Sequence, residues 1–122
     1  MGGSPADGIT IYHNPRCSKS RRTLELLREK GHDPIVIEYL DHPPSADRVM
    51  ELIDMLGIDA HDLVRSQEAA YREAGLSPSA SPAAIARAIA AHPILLERPV
   101  VVCGTRAALG RPPENVLRIL PG

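Results

Sequence analysis

Cys17 is the residue of this 122-residue chain whose surroundings best support chemistry. Ser18, Lys19 and Ser20 follow it, and His13, Arg16, Arg21 and Arg22 flank it. The β-branched run Ile9-Thr10-Ile11-Tyr12 precedes it and ends at His13-Asn14-Pro15, the pattern of a strand entering a turn. The segment from Ser18 to Lys30 is rich in Arg, Leu, Glu and Lys and predicts a helix, with Gly31 placed to stop it. Strand, turn and helix put Cys17 at the helix N-terminus. Unpaired backbone N–H groups and the positive end of the helix dipole there favour a thiolate, and the neighbouring cations add to the effect. A fall in thiol pKa from about 8.5 to about 6.5 would raise the ionised fraction at neutral pH from ~3% to ~75%. A lone cysteine is more often a small core residue. The strand-turn-helix setting turns the reading here towards an attacking thiolate.

The spacing also says which kind of thiol this is not. A thioredoxin-like dithiol would carry its second cysteine where this chain has Ser20. A tyrosine-phosphatase loop would need arginine at the position of Thr23. The other cysteine, Cys103, ends the apolar run Pro99–Cys103 and is expected to be a buried structural thiol. No Cys/His cluster has metal-ligand spacing and no glycine motif suits a nucleotide, so neither a metal nor a bound cofactor is expected.

The elements that must hold Cys17 follow from pattern. Ile35–Tyr39 reads as a second strand, parallel to the first because a helix connects them. Ser45 is placed to cap a helix carrying Val49, Leu52, Ile53 and Leu56, and Gly57 to end it. Weaker helical stretches cover Ala69–Ala74 and Pro82–Ala91, so residues from about 40 to 92 form a helical block. Pro99–Cys103 and Ala107–Leu109 read as a hairpin, and Pro112-Pro113 opens a last helix with Val116, Leu117 and Leu120 on its apolar face. Residues 1–8 are small and polar and are expected to be a disordered leader, leaving a single domain over 9–122.

Composition narrows the partners. Fourteen basic against fifteen acidic residues leave no field to steer the chain to nucleic acid or to an anionic membrane. With no Phe or Trp and only three Tyr, aromatic stacking on bases is largely excluded, and the core must be aliphatic. No stretch approaches the roughly 18 apolar residues of a membrane span. Two cysteines are too few for a disulfide-built secreted domain. A cytoplasmic monomer with reduced thiols, bound to neither nucleic acid nor membrane, is expected.

The run Ile11-Tyr12-His13-Asn14-Pro15-Arg16-Cys17-Ser18-Lys19-Ser20-Arg21-Arg22-Thr23-Leu24 resembles the active-site segment of the glutaredoxin-coupled arsenate reductase family. Further segments resemble the family in the same order: Glu38-Tyr39-Leu40 with Pro43-Pro44, Leu63-Val64-Arg65, His92–Leu95 with Arg98–Val102, and Gly110-Arg111-Pro112 with Glu114. The resemblance implies an α/β thioredoxin-like fold, with a mixed four-stranded sheet and a helical insertion between the second and third strands. It implies Cys17 as nucleophile, His13 and Ser20 tuning its thiolate, Arg65, Arg98 and Arg111 holding the oxyanion, and a cis peptide at Arg98–Pro99. It also implies arsenate or a similar oxyanion as substrate, glutathione as cosubstrate and glutaredoxin as partner. Well-known members carry a longer C-terminal tail than this chain. Relatives of similar fold include regulators that bind RNA polymerase, so a non-catalytic redox-sensing module is the rival expectation. Ser20 counts against it, because such sensors usually pair two thiols.

Overall fold

Ile9–His13 forms strand β1, Ile35–Glu38 strand β2, Val100–Cys103 strand β3 and Arg106–Leu109 strand β4. They make one mixed sheet in the order β2-β1-β3-β4, with β1 parallel to β2, and β3 antiparallel to both β1 and β4. The computed structural model describes residues 8–121, so the expected leader lies outside the described residues except for Gly8. The chain divides into two compact units: one runs to Tyr39 and resumes at Arg98, and the other is Leu40–Glu97.

In the first unit, side chains alternate across the strands and sort themselves by register. Val36, Ile11, Val101 and Ala108 are successive partners across the four strands, forming one row on one face of the sheet. Helix α1, Ser18–Glu29, lays Leu24 and Leu27 against this face, and a 3-10 helix, Pro113–Ile119, adds Val116 and Ile119. The expected last helix is therefore a 3-10 segment. Short segments of this kind are held in place by their surroundings, here by packing on the sheet and by Asn115 Nδ2 donating to the Leu109 carbonyl. Cys103 is half-buried rather than buried, because it is the last residue of β3 beside the exposed turn at Gly104.

The second unit is helical. Helix α2, Ala46–Leu56, begins where Ser45 Oγ accepts the Arg48 N–H and ends at Gly57, whose φ of 66° needs a residue without a side chain. Helix α3 is Ala69–Glu73, and helix α4, Pro82–Ala91, is capped by Ser81. Val49 and Leu52 of α2 and Ile85 and Ile89 of α4 are fully buried, giving the unit an aliphatic core of its own. Two 3-10 turns, Ala60–Leu63 and Pro93–Leu95, had no periodic signal in the sequence. A single bridge between Val64 and Leu96 joins the segments that follow them.

Among the described residues two X–Pro peptides are cis, Arg98–Pro99, as the resemblance implies, and Arg111–Pro112. Gly110 lies between them in space, since its N–H donates to the Pro99 carbonyl at 3.0 Å. A Cβ added to Gly110 would stand 2.7 Å from Pro99 Cγ and would also strike Thr23 of α1. Only glycine lets these three segments close up. Gly110→Ala should lower stability by about 1–3 kcal/mol through overpacking, read as a fall in the urea midpoint with secondary structure retained. An unchanged midpoint would show that the contact yields without cost.

Candidate active site

The strand directions bring four segments to one end of the sheet. β1 ends at His13 and runs into Asn14–Cys17, and β2 runs parallel with Glu38 opposite His13, so Tyr39 leaves the sheet beside Asn14. β3 runs the other way with Val100 opposite Tyr12, which places Arg98-Pro99 at the same end. β4 pairs Leu109 with Val100, so Gly110-Arg111 arrives there too. Arg111 Nη1 donates to the Arg98 carbonyl at 3.4 Å. These residues are spread along the chain from Asn14 to Arg111, and the register gathers them.

Cys17 is the N-cap of α1. The turn before it is closed by its own N–H, which donates to the Asn14 carbonyl at 3.0 Å, and by the Arg16 N–H, which donates to Asn14 Oδ1 at 2.9 Å. A cap residue ordinarily offers oxygen to the N–H groups of the first turn. Here the side chain is a thiol and makes no full cap hydrogen bond. Burial pushes the Cys17 thiol up, but the Ser20 N–H, the Arg98 guanidinium and the Lys19 N–H together outweigh it and hold the pKa below that of a free cysteine. Ser18 to Ser20 are thus the anode end of a helix directed at sulfur, and Arg98 is the cation beside it.

Ser20 is fully buried and His13 nearly so. Ser20 Oγ accepts the Asn14 N–H at 3.0 Å and pairs with His13 Nδ1 at 2.7 Å. Burial lowers the His13 pKa below 6.5, with Glu38 opposing and Arg28 and Arg21 assisting, so the ring is neutral at pH 7. His13 therefore acts on Ser20, and Ser20 on the sulfur through its backbone.

The arginines differ. Arg98 is half-buried beside the sulfur, while Arg111 is exposed at the same end of the sheet. Arg65 belongs to the helical unit, where its N–H donates to the Leu95 carbonyl at 2.7 Å and its Nη1 pairs with Glu68 at 3.4 Å. Asn14 and Tyr39 were not singled out from the sequence. An Asn-Pro pair in a turn was a signal for the first, whereas Tyr39 reads as the end of a strand and gains its place only from register.

Cys103 pairs with Ile9, at the far end of β1 from Cys17. Four strand steps separate Ile9 from His13, about 13 Å at ~3.3 Å per residue. A disulfide needs Cα atoms within about 7 Å. The thiols cannot bond in this arrangement, and both are reduced. Among the described residues no group of His, Cys, Asp and Glu could hold a metal, and no helix is long and apolar enough to cross a membrane. A cleft of about 490 Å³ opens beside His13, walled by Arg21, Leu24, Glu25, Arg28 and Glu29, and its mixed charges do not suit a small oxyanion.

This fold and site define a thioredoxin-like protein with one thiol activated at a helix N-terminus and arginine beside it. The profile of the ArsC family matches residues 12–119, and the chain belongs to that family. It is 46% identical to an arsenate reductase of Neisseria meningitidis serogroup B, over 92% of this chain and 97% of that one. It is equally identical to the uncharacterized protein YfgD of Escherichia coli, over 92% of this chain and 96% of the relative. The solved structure of an arsenate reductase from Vibrio cholerae superposes with a TM-score of 0.87 at 46% identity, covering 92% of this chain and 97% of that one.

Two measurements test the site's electrostatics. Alkylation of Cys17 against pH should show a midpoint below that of free cysteine, and Arg98→Ala should raise it; a wild-type midpoint at or above the free value would remove the activated thiolate. His13 bears on folding. Below pH 6.5 the unfolded chain binds a proton that the folded chain excludes, so stability should fall as pH drops from 6.5 towards the lowered folded value. His13→Gln should remove that component of the slope in urea midpoints, and an unaltered slope would assign it to other groups.

Proposed function

We propose that this protein reduces arsenate to arsenite, using glutathione as cosubstrate and glutaredoxin as regenerating partner. The observation that carries this reading is a thiolate held by helix N–H groups and Arg98, with no second thiol in reach, in a chain of the ArsC family. Arsenate carries about two negative charges at neutral pH, and guanidinium groups offer it paired, planar donors. Arg98 and Arg111 hold it in this reading, and Arg65 joins them on the resemblance alone.

The Cys17 thiolate sulfur bonds to arsenic and one arsenate oxygen leaves as water, taking both its protons from the singly charged, dihydrogen form of the substrate. Glutathione sulfur then attacks the Cys17 sulfur, the arsenic–sulfur pair stays on arsenic, and arsenic falls from the +5 to the +3 state. Arsenite departs, leaving a mixed disulfide between Cys17 and glutathione. A glutaredoxin thiolate attacks its glutathione sulfur and frees Cys17. His13 and Ser20 keep the first turn of α1 in place around the sulfur throughout. No resident metal or cofactor takes part. A dithiol sensor is the weaker reading, because Ser20 and the distance to Cys103 leave Cys17 without an internal partner.

The test is NADPH oxidation coupled through glutathione reductase, glutaredoxin and glutathione, started by arsenate. Wild type should turn over, Cys17→Ser should not, and Cys103→Ser should keep most of the rate. Arg98→Lys, which retains charge but loses the fork, should lower kcat/KM by about 10- to 100-fold, the loss of one or two charge-assisted hydrogen bonds. Arg65→Ala tests the assignment by resemblance. Without glutaredoxin, mass spectrometry should find one glutathione on Cys17. Turnover supported by thioredoxin alone, with a Cys17–Cys103 disulfide, would overturn the mechanism.

A further inference from the structure

Tyr39 is fully buried, and its hydroxyl is a buried polar group that the Asn14 and Arg98 side chains approach without closing a full hydrogen bond. A buried hydroxyl whose proton is left unsatisfied is destabilising, so its presence in a native fold calls for an acceptor that arrives by another route. Its place is fixed by backbone register, not by chance of rotamer alone. Glu38 pairs with His13 on adjacent parallel strands, so the next residue, Tyr39, stands beside Asn14 at the start of the Cys17 turn.

The groups around the hydroxyl decide which half of it lacks a partner. Burial holds the phenol protonated, well above the pH at which Cys17 ionises. The Arg98 guanidinium and the Asn14 side chain face its oxygen as donors, and the Cys17 sulfur faces it as negative charge. Arginine can only donate, so it can satisfy a lone pair of the hydroxyl but never its proton. The O–H proton needs an acceptor, and the anionic group on that side is at Cys17.

We propose that the Tyr39 hydroxyl is a further donor of this site, directed at negative charge on Cys17: at the sulfur while the site is empty, and at an oxygen of the anion bound there when it is filled. The second half rests on the oxyanion reading above, while the first does not. Cys17 is then faced by the Ser20 and Lys19 N–H groups from α1, by Arg98 from the segment before β3, and by Tyr39 from the segment after β2. Three elements stabilise one thiolate.

The test removes one oxygen atom. In a Cys103→Ser background, so that Cys17 alone reacts, iodoacetamide alkylation against pH should place the midpoint of Tyr39→Phe about one pH unit above the parent, a roughly tenfold loss of reactive thiolate at pH values below both midpoints. The arsenate concentration that half-protects Cys17 from alkylation, without glutathione present, should rise as well. Arsenate that fails to protect even the parent would sink the oxyanion reading and the second half of this proposal, leaving the midpoint to judge the first. A folded Tyr39→Phe protein with the parent's midpoint would overturn the proposal, even if its melting temperature fell, since a purely structural ring would behave that way. A reciprocal measurement leaves Tyr39 in place. In Cys17→Ala, tyrosine-labelled NMR should find Tyr39 titrating at lower pH than in the parent, because the thiolate charge that opposes its ionisation is gone. Identical Tyr39 titration in the two proteins would also overturn it.

Discussion

The site depends on helix α1 beginning without an oxygen at its cap. The first-turn N–H groups of an α-helix have no intrahelical acceptor, and proteins usually satisfy them with Ser, Thr, Asp or Asn. Here the cap residue is Cys17, and the Ser20 hydroxyl of the first turn is already engaged by the Asn14 N–H and His13 Nδ1. The unmet demand of the helix end therefore falls on sulfur. A neutral thiol answers it poorly and a thiolate answers it well. The acidity of Cys17 is in this sense a property of how α1 starts, and the buried His13–Ser20 pair ties that first turn to the end of β1.

The remaining parts are delivered by strand direction. A parallel neighbour and an antiparallel neighbour flank β1, so residues that follow β1 and β2 meet residues that precede β3 at one end of the sheet. The β3–β4 hairpin returns Gly110-Arg111 to the same end. No long side chain has to reach across the molecule for Arg98 to stand beside Cys17. Gly110 matters for the same reason, because the close approach of Pro99 and Thr23 leaves no room for a side chain where these segments converge.

Much of this was legible before any coordinates. The alternation in Ile9–Tyr12, the helix-forming run after Ser18, the Ser45 cap and the Gly57 stop each carry a local physical signal, and each element stands where its signal puts it. The 3-10 segment Pro113–Ile119 was less legible, since paired prolines announce a helix start but say nothing about how few turns follow. Cys103 read as buried because its run is apolar, yet the end of a strand beside an exposed turn is covered on fewer sides than its middle. Tyr39 and Asn14 could not be assigned from pattern. Their proximity follows from the pairing of His13 with Glu38, a contact between strands that periodicity within either strand does not determine.

The aliphatic core has an optical consequence. With no tryptophan or phenylalanine in the chain, near-ultraviolet absorption and intrinsic fluorescence come from Tyr12, Tyr39 and Tyr71 alone. Tyr39 is locked in place with its hydroxyl among Arg98, Asn14 and Cys17, so its transition is perturbed by whatever charge stands on the sulfur. The protein thus carries its own chromophore at the reactive centre, so that the ionisation of one thiol is expected to register in the tyrosine spectrum without any added dye.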